Sequence, residues 1–400
     1  MEESERLRDE EGEEEEEIWS WGAGTEGQLG TGKLSDERRP QLIRSLSSFG
    51  PVSLLACGGA HLIALLSGGR VLTWGRGSSG QLGHGEAVNS LQPKAVEALV
   101  DSVIKHVSAG WNHSGFVSES GHLFMCGDGT FGQLGLGDHL SQSSPVEVPF
   151  FRSKHVKQIA CGMRHSLALV KGNMGNRVYG FGSGKRGQLG ISDGKVRSVA
   201  VPQVTLGLEN LSINSIFANG DHSAAICADG HFYTWGRGFG GDSDMFMPRC
   251  VTVRPSFSNA SLGWNHALVL TGDGEVLMIG GYNYDGASSA RKPQMMAKTD
   301  KGGGNEEIVQ KVDALVGVKV LQISAGSEHS ALVTDDGSVM TWGWGEHGQL
   351  GMGDTNDQAL PQVVTILGNY KHAKKPFVAK VYCGSGFTFV IKKKAVNYQY

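Results

Sequence analysis

WGAGTEGQLG, residues 21–30, is the stretch on which the reading of this chain turns. Its pattern returns as WGRGSSGQLG (74–83), CGDGTFGQLG (126–135), FGSGKRGQLG (181–190) and WGWGEHGQLG (342–351), with degraded copies at WGRGFGGDSD (235–244) and IGGYNYDGAS (279–288). Seven copies at a spacing of roughly 50 residues mean one supersecondary unit repeated around or along an axis. The repeat overrides the length prior, by which 400 residues would suggest roughly two or three domains.

A second motif alternates with the first: ACGGAH (56–61), SAGWNH (108–113), ACGMRH (160–165), FANGDH (217–222), SLGWNH (261–266), SAGSEH (324–329) and YCGSGF (382–387). The glycine three before the histidine becomes Asn219 in the fourth copy. Asparagine is the residue that most readily replaces glycine in a left-handed conformation, so a positive φ is expected at this position. Between the two motifs lies an apolar run, a turn glycine (Gly69, Gly121, Gly230, Gly274 or Gly337) and a second apolar run. That is a β-hairpin signal. A proline follows each WG copy (Pro40, Pro93, Pro145, Pro202, Pro248, Pro293, Pro361). Lacking an N–H, it suits the start of an edge strand.

Each unit therefore reads as four antiparallel strands. The chain opens on half a unit and ends on the other half. A closed ring lets the two halves complete one blade and removes long exposed edges. The expected fold is an all-β, seven-bladed propeller over 18–392, with 378–392 and 18–44 sharing the last blade. An exposed insertion is expected over 296–311, an acidic disordered tail over 1–17 and a short C-terminal tail over 393–400.

Glycine stands at 60 of 400, about twice its usual share, with no collagen-like triplet. The formal charge of −4 is unevenly spread. Residues 1–17 hold eleven acids against Arg6 and Arg8; the rest carries 29 acids against 34 bases. Such charge density cannot bury apolar area. A basic C-terminal region, Lys371, Lys374, Lys375 and Lys392–Lys394, offers a contact for acidic surfaces. No signal or transit peptide and no membrane span is read. The six cysteines show no CxxC and no metal-ligand spacing, as in a reduced intracellular protein of the nucleus or cytoplasm.

The paired motifs, in seven alternating copies over about 18–392, resemble the regulator of chromosome condensation family. The resemblance implies the propeller fold. Its members include the nucleotide exchange factor for the Ran GTPase, the plant UV-B photoreceptor and many binding modules, and fold does not fix activity. Exchange activity resembles a face with acids near the GxxH histidine and a departure from a GQLG loop; Asp221, with Asp242 and Asp244 in the shortened 238–247 loop, matches in part, while Arg164 and Asn112 do not. Trp111 and Trp264 sit in GWNH, similar to the photoreceptor's GWRH. Here they fall in the second and fifth copies, with Asn112 and Asn265 in place of arginine. Surface aromatics of this kind suit partner binding.

His61, His113, His165, His222, His266 and His329 lie one per blade and cannot converge on one ion, which needs three or four ligands at about 2 Å. They are expected to be structural, bonded to backbone. No metal, cofactor, catalytic dyad or small-molecule substrate is read. The function expected is a non-enzymatic propeller that binds a protein partner, such as a small GTPase or a chromatin protein, with nucleotide exchange and light sensing as alternatives.

Overall fold

The computed structural model describes residues 16–173, 175–239, 243–251, 256–281, 309–366 and 377–394. They form seven four-stranded antiparallel sheets. Blades 1 to 6 take their strands consecutively from the axis outward, over 52–95, 104–147, 156–204, 213–250, 257–311 and 320–363. Blade 7 runs, from inside out, Phe377–Cys383, Phe387–Lys394, Glu16–Gly22 and Glu37–Leu42. The two ends of the chain thus finish one blade. Their register is unbroken from Glu16 opposite Lys393 to Gly22 opposite Phe387. Each inner strand contacts the next around the whole ring.

The closing pair extends two residues further at each end than 18–392. Glu16 meets Lys393 Nζ at 2.7 Å and accepts the Val52 amide at 2.9 Å. The end of the acidic segment and part of the basic C-terminal cluster therefore neutralise each other inside the sheet. Residues 1–15 and 395–400, with Lys371, Lys374 and Lys375, lie outside the described residues.

Burial follows the repeat. The second strand of each of blades 1 to 6 is buried along its whole length, because it is covered on both sides by neighbouring blades. The core is divided into seven apolar clusters, one at each seam between blades. The closing seam packs Ile18, Leu29, Phe387 and Phe389 of blade 7 against Leu55, Leu62 and Trp74 of blade 1. The GQLG leucines Leu29, Leu82, Leu134, Leu189 and Leu350 are all buried.

Two glycine positions are used for different physical reasons. The WG glycine takes positive φ in every blade, from +66° at Gly280 to +105° at Gly127. The GxxH glycine does not, contrary to the expectation drawn from Asn219. Its side chain is excluded by crowding: a Cβ on Gly110 would stand 2.5 Å from His113 Cε1 and 2.6 Å from the Gly162 carbonyl of the next blade. Gly182 shows the WG case, with φ +102° and a Cβ that would lie 2.5 Å from the Arg164 carbonyl. Gly182→Ala is expected to cost about 2 kcal/mol or more, read as a lowered urea midpoint at unchanged slope.

Six prolines lie inside the outer strands rather than at their starts. Each falls where the register with the third strand shifts, as Pro93 does between the Thr73–Lys94 and Gly75–Ser90 pairs. An edge strand with a bulge leaves a residue unpaired, so the missing N–H costs no ladder bond. Pro293 lies outside the described residues. The outer strand of blade 5 is Val309–Lys311, so the insertion expected over 296–311 ends before residue 309.

Candidate functional site

Antiparallel connectivity places every GxxH turn and every WG loop on one face of the ring. The carbonyl of the residue before the histidine, or before Phe387 in blade 7, accepts the amide after the WG glycine in all seven blades, as in Ala60 to Arg76 (2.8 Å), Asp221 to Arg237 (2.9 Å) and Gly386 to Ala23 (2.8 Å). Asp221 and the loop joining the third and outer strands of blade 4 therefore emerge side by side on this motif face.

The histidines bolt the blades together, and they do so chiefly through side chains rather than the backbone. His61 Nε2 meets Ser114 Oγ of the next blade at 2.9 Å; His113–Ser166 and His165–Ser223 repeat this, as do His266–Ser330 and His329–Thr388 at 3.0 Å. Ser114, Ser166, Ser223 and Thr388 donate their own protons to the carbonyls of Gln81, Gln133, Gln188 and Gln349. The hydroxyl oxygen must then accept from Nε2–H, which fixes the tautomer. Three WG tryptophans, Trp21, Trp74 and Trp235, donate Nε1–H to GQLG carbonyls of the preceding blade at 2.8–3.0 Å. Burial pushes the imidazoles down, to about 3 at His61, His165 and His329 and about 4 at His113 and His266, so they are neutral.

Two seams break the pattern, each where the hydroxyl is missing. Blade 1 carries Leu62, and blade 7 answers with Phe387 in the histidine's place. Blade 5 carries Ala267, and His222 of blade 4 turns instead to two carbonyls, Arg237 (2.5 Å) and Trp264 (2.6 Å), with its ring stacked on Phe239 at 4.3 Å. In blade 4 the crowded glycine position holds Asn219, which bonds the Leu262 carbonyl.

Trp111 and Trp264 come together although their blades are not neighbours. Both follow the last residue of an inner strand by one glycine, and their rings meet at 5.3 Å between centroids, tilted by 38°. Together they border a central cavity of about 330 Å³, lined by inner-strand residues that include Cys57, Cys161, Cys383 and His106. All six cysteines are free. The Arg76 guanidinium stands 5.9 Å from the Trp111 ring and donates to Asn112 Oδ1 at 2.6 Å. Arg164, Lys185 and Arg237 are exposed on the same face. Sequence distance hid this contact, since nothing in either GWNH copy reports what faces it across the axis.

The acids are less available. Asp221 accepts from Gln188 Nε2 at 3.0 Å. Asp244 pairs with Arg186 at 3.3 Å. Asp242 lies outside the described residues. The outer strand of blade 4 already begins at Met245, so the loop that departs from GQLG is shorter than 238–247. A further cluster, Cys227, Asp229 and His231, has no counterpart among the motifs read from sequence; it lies at the hairpin turn of blade 4, on the opposite face.

A sequence profile described as an RCC1-like domain matches residues 17–390. The chain belongs to the RCC1-like family. Within it, the chain is 32% identical over 355 residues to the ultraviolet-B receptor UVR8 of Arabidopsis thaliana, covering 86% of this chain and 75% of the receptor. It is 28% identical over 370 residues to the secretion-regulating guanine nucleotide exchange factor of Bos taurus, covering 87% and 78%. Other curated RCC1-like relatives are far longer, the chain spanning only 6% of their length. Among solved structures, Prp20p of Saccharomyces cerevisiae superposes with a TM-score of 0.78 at 23% identity, covering 96% of this chain and 93% of that one. Among the described residues of this RCC1-like chain, no helix is long and apolar enough to cross a membrane.

Proposed function

We propose that this RCC1-like propeller is a non-enzymatic binding module that grips a protein partner with its motif face. The observation that carries the reading is the Trp111–Trp264 pair at the axis. Both rings are half-buried on a face where the other GxxH turns carry small or polar residues or Met163. Tryptophan and arginine dominate binding hot spots, tryptophan because its large rigid ring desolvates a wide area with little rotamer entropy to lose. The exposed Arg164, Lys185 and Arg237 rim blades 3 and 4 with positive charge, which favours an acidic partner surface. The double variant Trp111→Ala/Trp264→Ala is expected to weaken capture of the partner from cell extract by roughly 30-fold or more, about 2 kcal/mol, while the melting temperature shifts by only a few degrees. Partner recovery unchanged by the double variant would remove the motif face from consideration.

Nucleotide exchange, by analogy with the exchange-factor relative, is the second reading. Asp221 and Asp244 speak against it, since both carboxylates are held by neighbouring side chains. Release of labelled nucleotide from Ran-, Rab- and Rho-type GTPases tests it directly, with Asp221→Ala as the control.

A further inference from the structure

On the face opposite the tryptophans, blades 1, 2, 4, 5 and 6 turn from their second to their third strand through a tight hairpin. In blades 5 and 6 that turn is closed by a threonine hydroxyl. Thr271 bonds Asp273 and the Glu275 carbonyl; Thr334 bonds Asp336 and the Ser338 carbonyl, the latter at 3.1 Å. The donors at the first, third and fifth turn positions are Thr, Asp and Glu in one blade and Thr, Asp and Ser in the other. All are oxygen.

Blade 4 keeps the turn and changes the chemistry. Cys227 replaces the threonine, Asp229 stays, and His231 takes the fifth position. Cys227 Sγ stands 2.8 Å from Asp229 Oδ1, and His231 Nδ1 stands 2.8 Å from Asp229 Oδ2. The three donor atoms all lie within 4.8 Å of one another. A tetrahedral ion with bonds of about 2.0–2.3 Å holds its ligands roughly 3.3–3.8 Å apart, so small side-chain rotations close the set. Gly230, at φ +82°, makes the turn that brings the three side chains together. The Cys227 thiol is buried, while Asp229 and His231 expose 61% and 57% of their side chains, which leaves a fourth position open to water.

We propose that Cys227, Asp229 and His231 form a binding site for a borderline divalent cation of the zinc type. The S, O and N set suits such an ion and not magnesium or calcium, which take oxygen. The ion displaces the thiol proton to solvent and binds the resulting thiolate together with the Asp229 carboxylate and a neutral His231 ring nitrogen. The site lies away from the Trp111–Trp264 pair, so its test is independent of the partner-binding reading.

Full-length protein titrated with Co²⁺ is expected to develop a near-ultraviolet thiolate-to-cobalt band at one equivalent, bleached by added Zn²⁺. Cys227→Thr restores the turn hydroxyl seen at Thr271 and Thr334, so the fold is kept and the band is lost. His231→Ser, matching Ser338, is expected to weaken binding by roughly tenfold or more. Zn²⁺ raises the melting temperature of the wild type and leaves that of Cys227→Thr unmoved. A wild type without the thiolate band, or a Cys227→Thr variant that keeps it through another of the cysteines, overturns the site.

Discussion

Acidification from pH 7 to pH 5 is expected to unfold the ring in one cooperative step. The blade histidines cause it. Five of them are pushed by burial from the ordinary imidazole value of about 6.5 to about 3 or 4, and His222 is lowered for the same reason. Between those values the unfolded chain binds protons that the folded chain refuses. Stability is therefore complete above about pH 6.5 and falls as the pH drops toward 4. At pH 5 each of the five contributes a loss of about 2 kcal/mol, on the order of 10 kcal/mol together, which matches the whole stability of a typical domain. Protonation also destroys the tautomer that the five imidazole–hydroxyl seams require. A cationic ring carries a second N–H, and at His61, His113, His165 and His329 the Nδ1 side offers no acceptor. Near-UV circular dichroism against pH measures the transition, and its steepness reports about six protons taken up, five by the seam imidazoles and one by His106, which burial also pushes down to about 4. A signal unchanged down to pH 4 would show that the seams do not depend on neutral imidazole.

The fold was legible because it is said seven times. One degraded GQLG copy proves little, but seven copies in alternation with GxxH, broken halfway through a unit at both ends, leave closure of the ring as the reading that disposes of both halves. Asn219 misleads for an instructive reason. It points to a backbone angle, whereas the glycines it replaces are needed to let a histidine ring and the next blade's carbonyl come close. Sequence shows that a side chain is excluded and not what excludes it. The same holds for the histidines: their constancy is plain, but their partner is a hydroxyl some 53–64 residues downstream. The Trp111–Trp264 contact is a property of the ring's diameter, which no local motif encodes. Cys227 was within reach. Aligned on the turn glycines, it stands where Thr271 and Thr334 stand, but its alternate-residue spacing from Asp229 and His231 matches neither a helical nor a CxxC ligand set.

Converting the closing seam to the pattern of the others provides the sharpest test of how the blades are joined. Phe387 sits in the histidine's slot so tightly that a Cβ on Gly384 would stand 2.0 Å from its ring. Opposite it, Leu62 fills the place of the hydroxyl and is fully buried. Phe387→His alone puts an imidazole beside Leu62 with nothing to accept Nε2–H, and is expected to cost about 3 kcal/mol. Leu62→Ser alone leaves a cavity at the seam between blades 7 and 1, at a similar cost of about 3 kcal/mol. Together they rebuild the relay. The hydroxyl introduced at position 62 can donate to the Gln28 carbonyl, which at present accepts Trp74 Nε1–H at 3.0 Å, and accept from the introduced imidazole. The double variant should therefore fall about 1–3 kcal/mol short of the sum of the single losses. It should also gain one more acid-labile seam, so that its stability drops more steeply between pH 6.5 and 5 than that of the natural ring. Additive losses with an unaltered pH slope would mean that the hydroxyl–imidazole pairs are consequences of blade packing and not a cause of it.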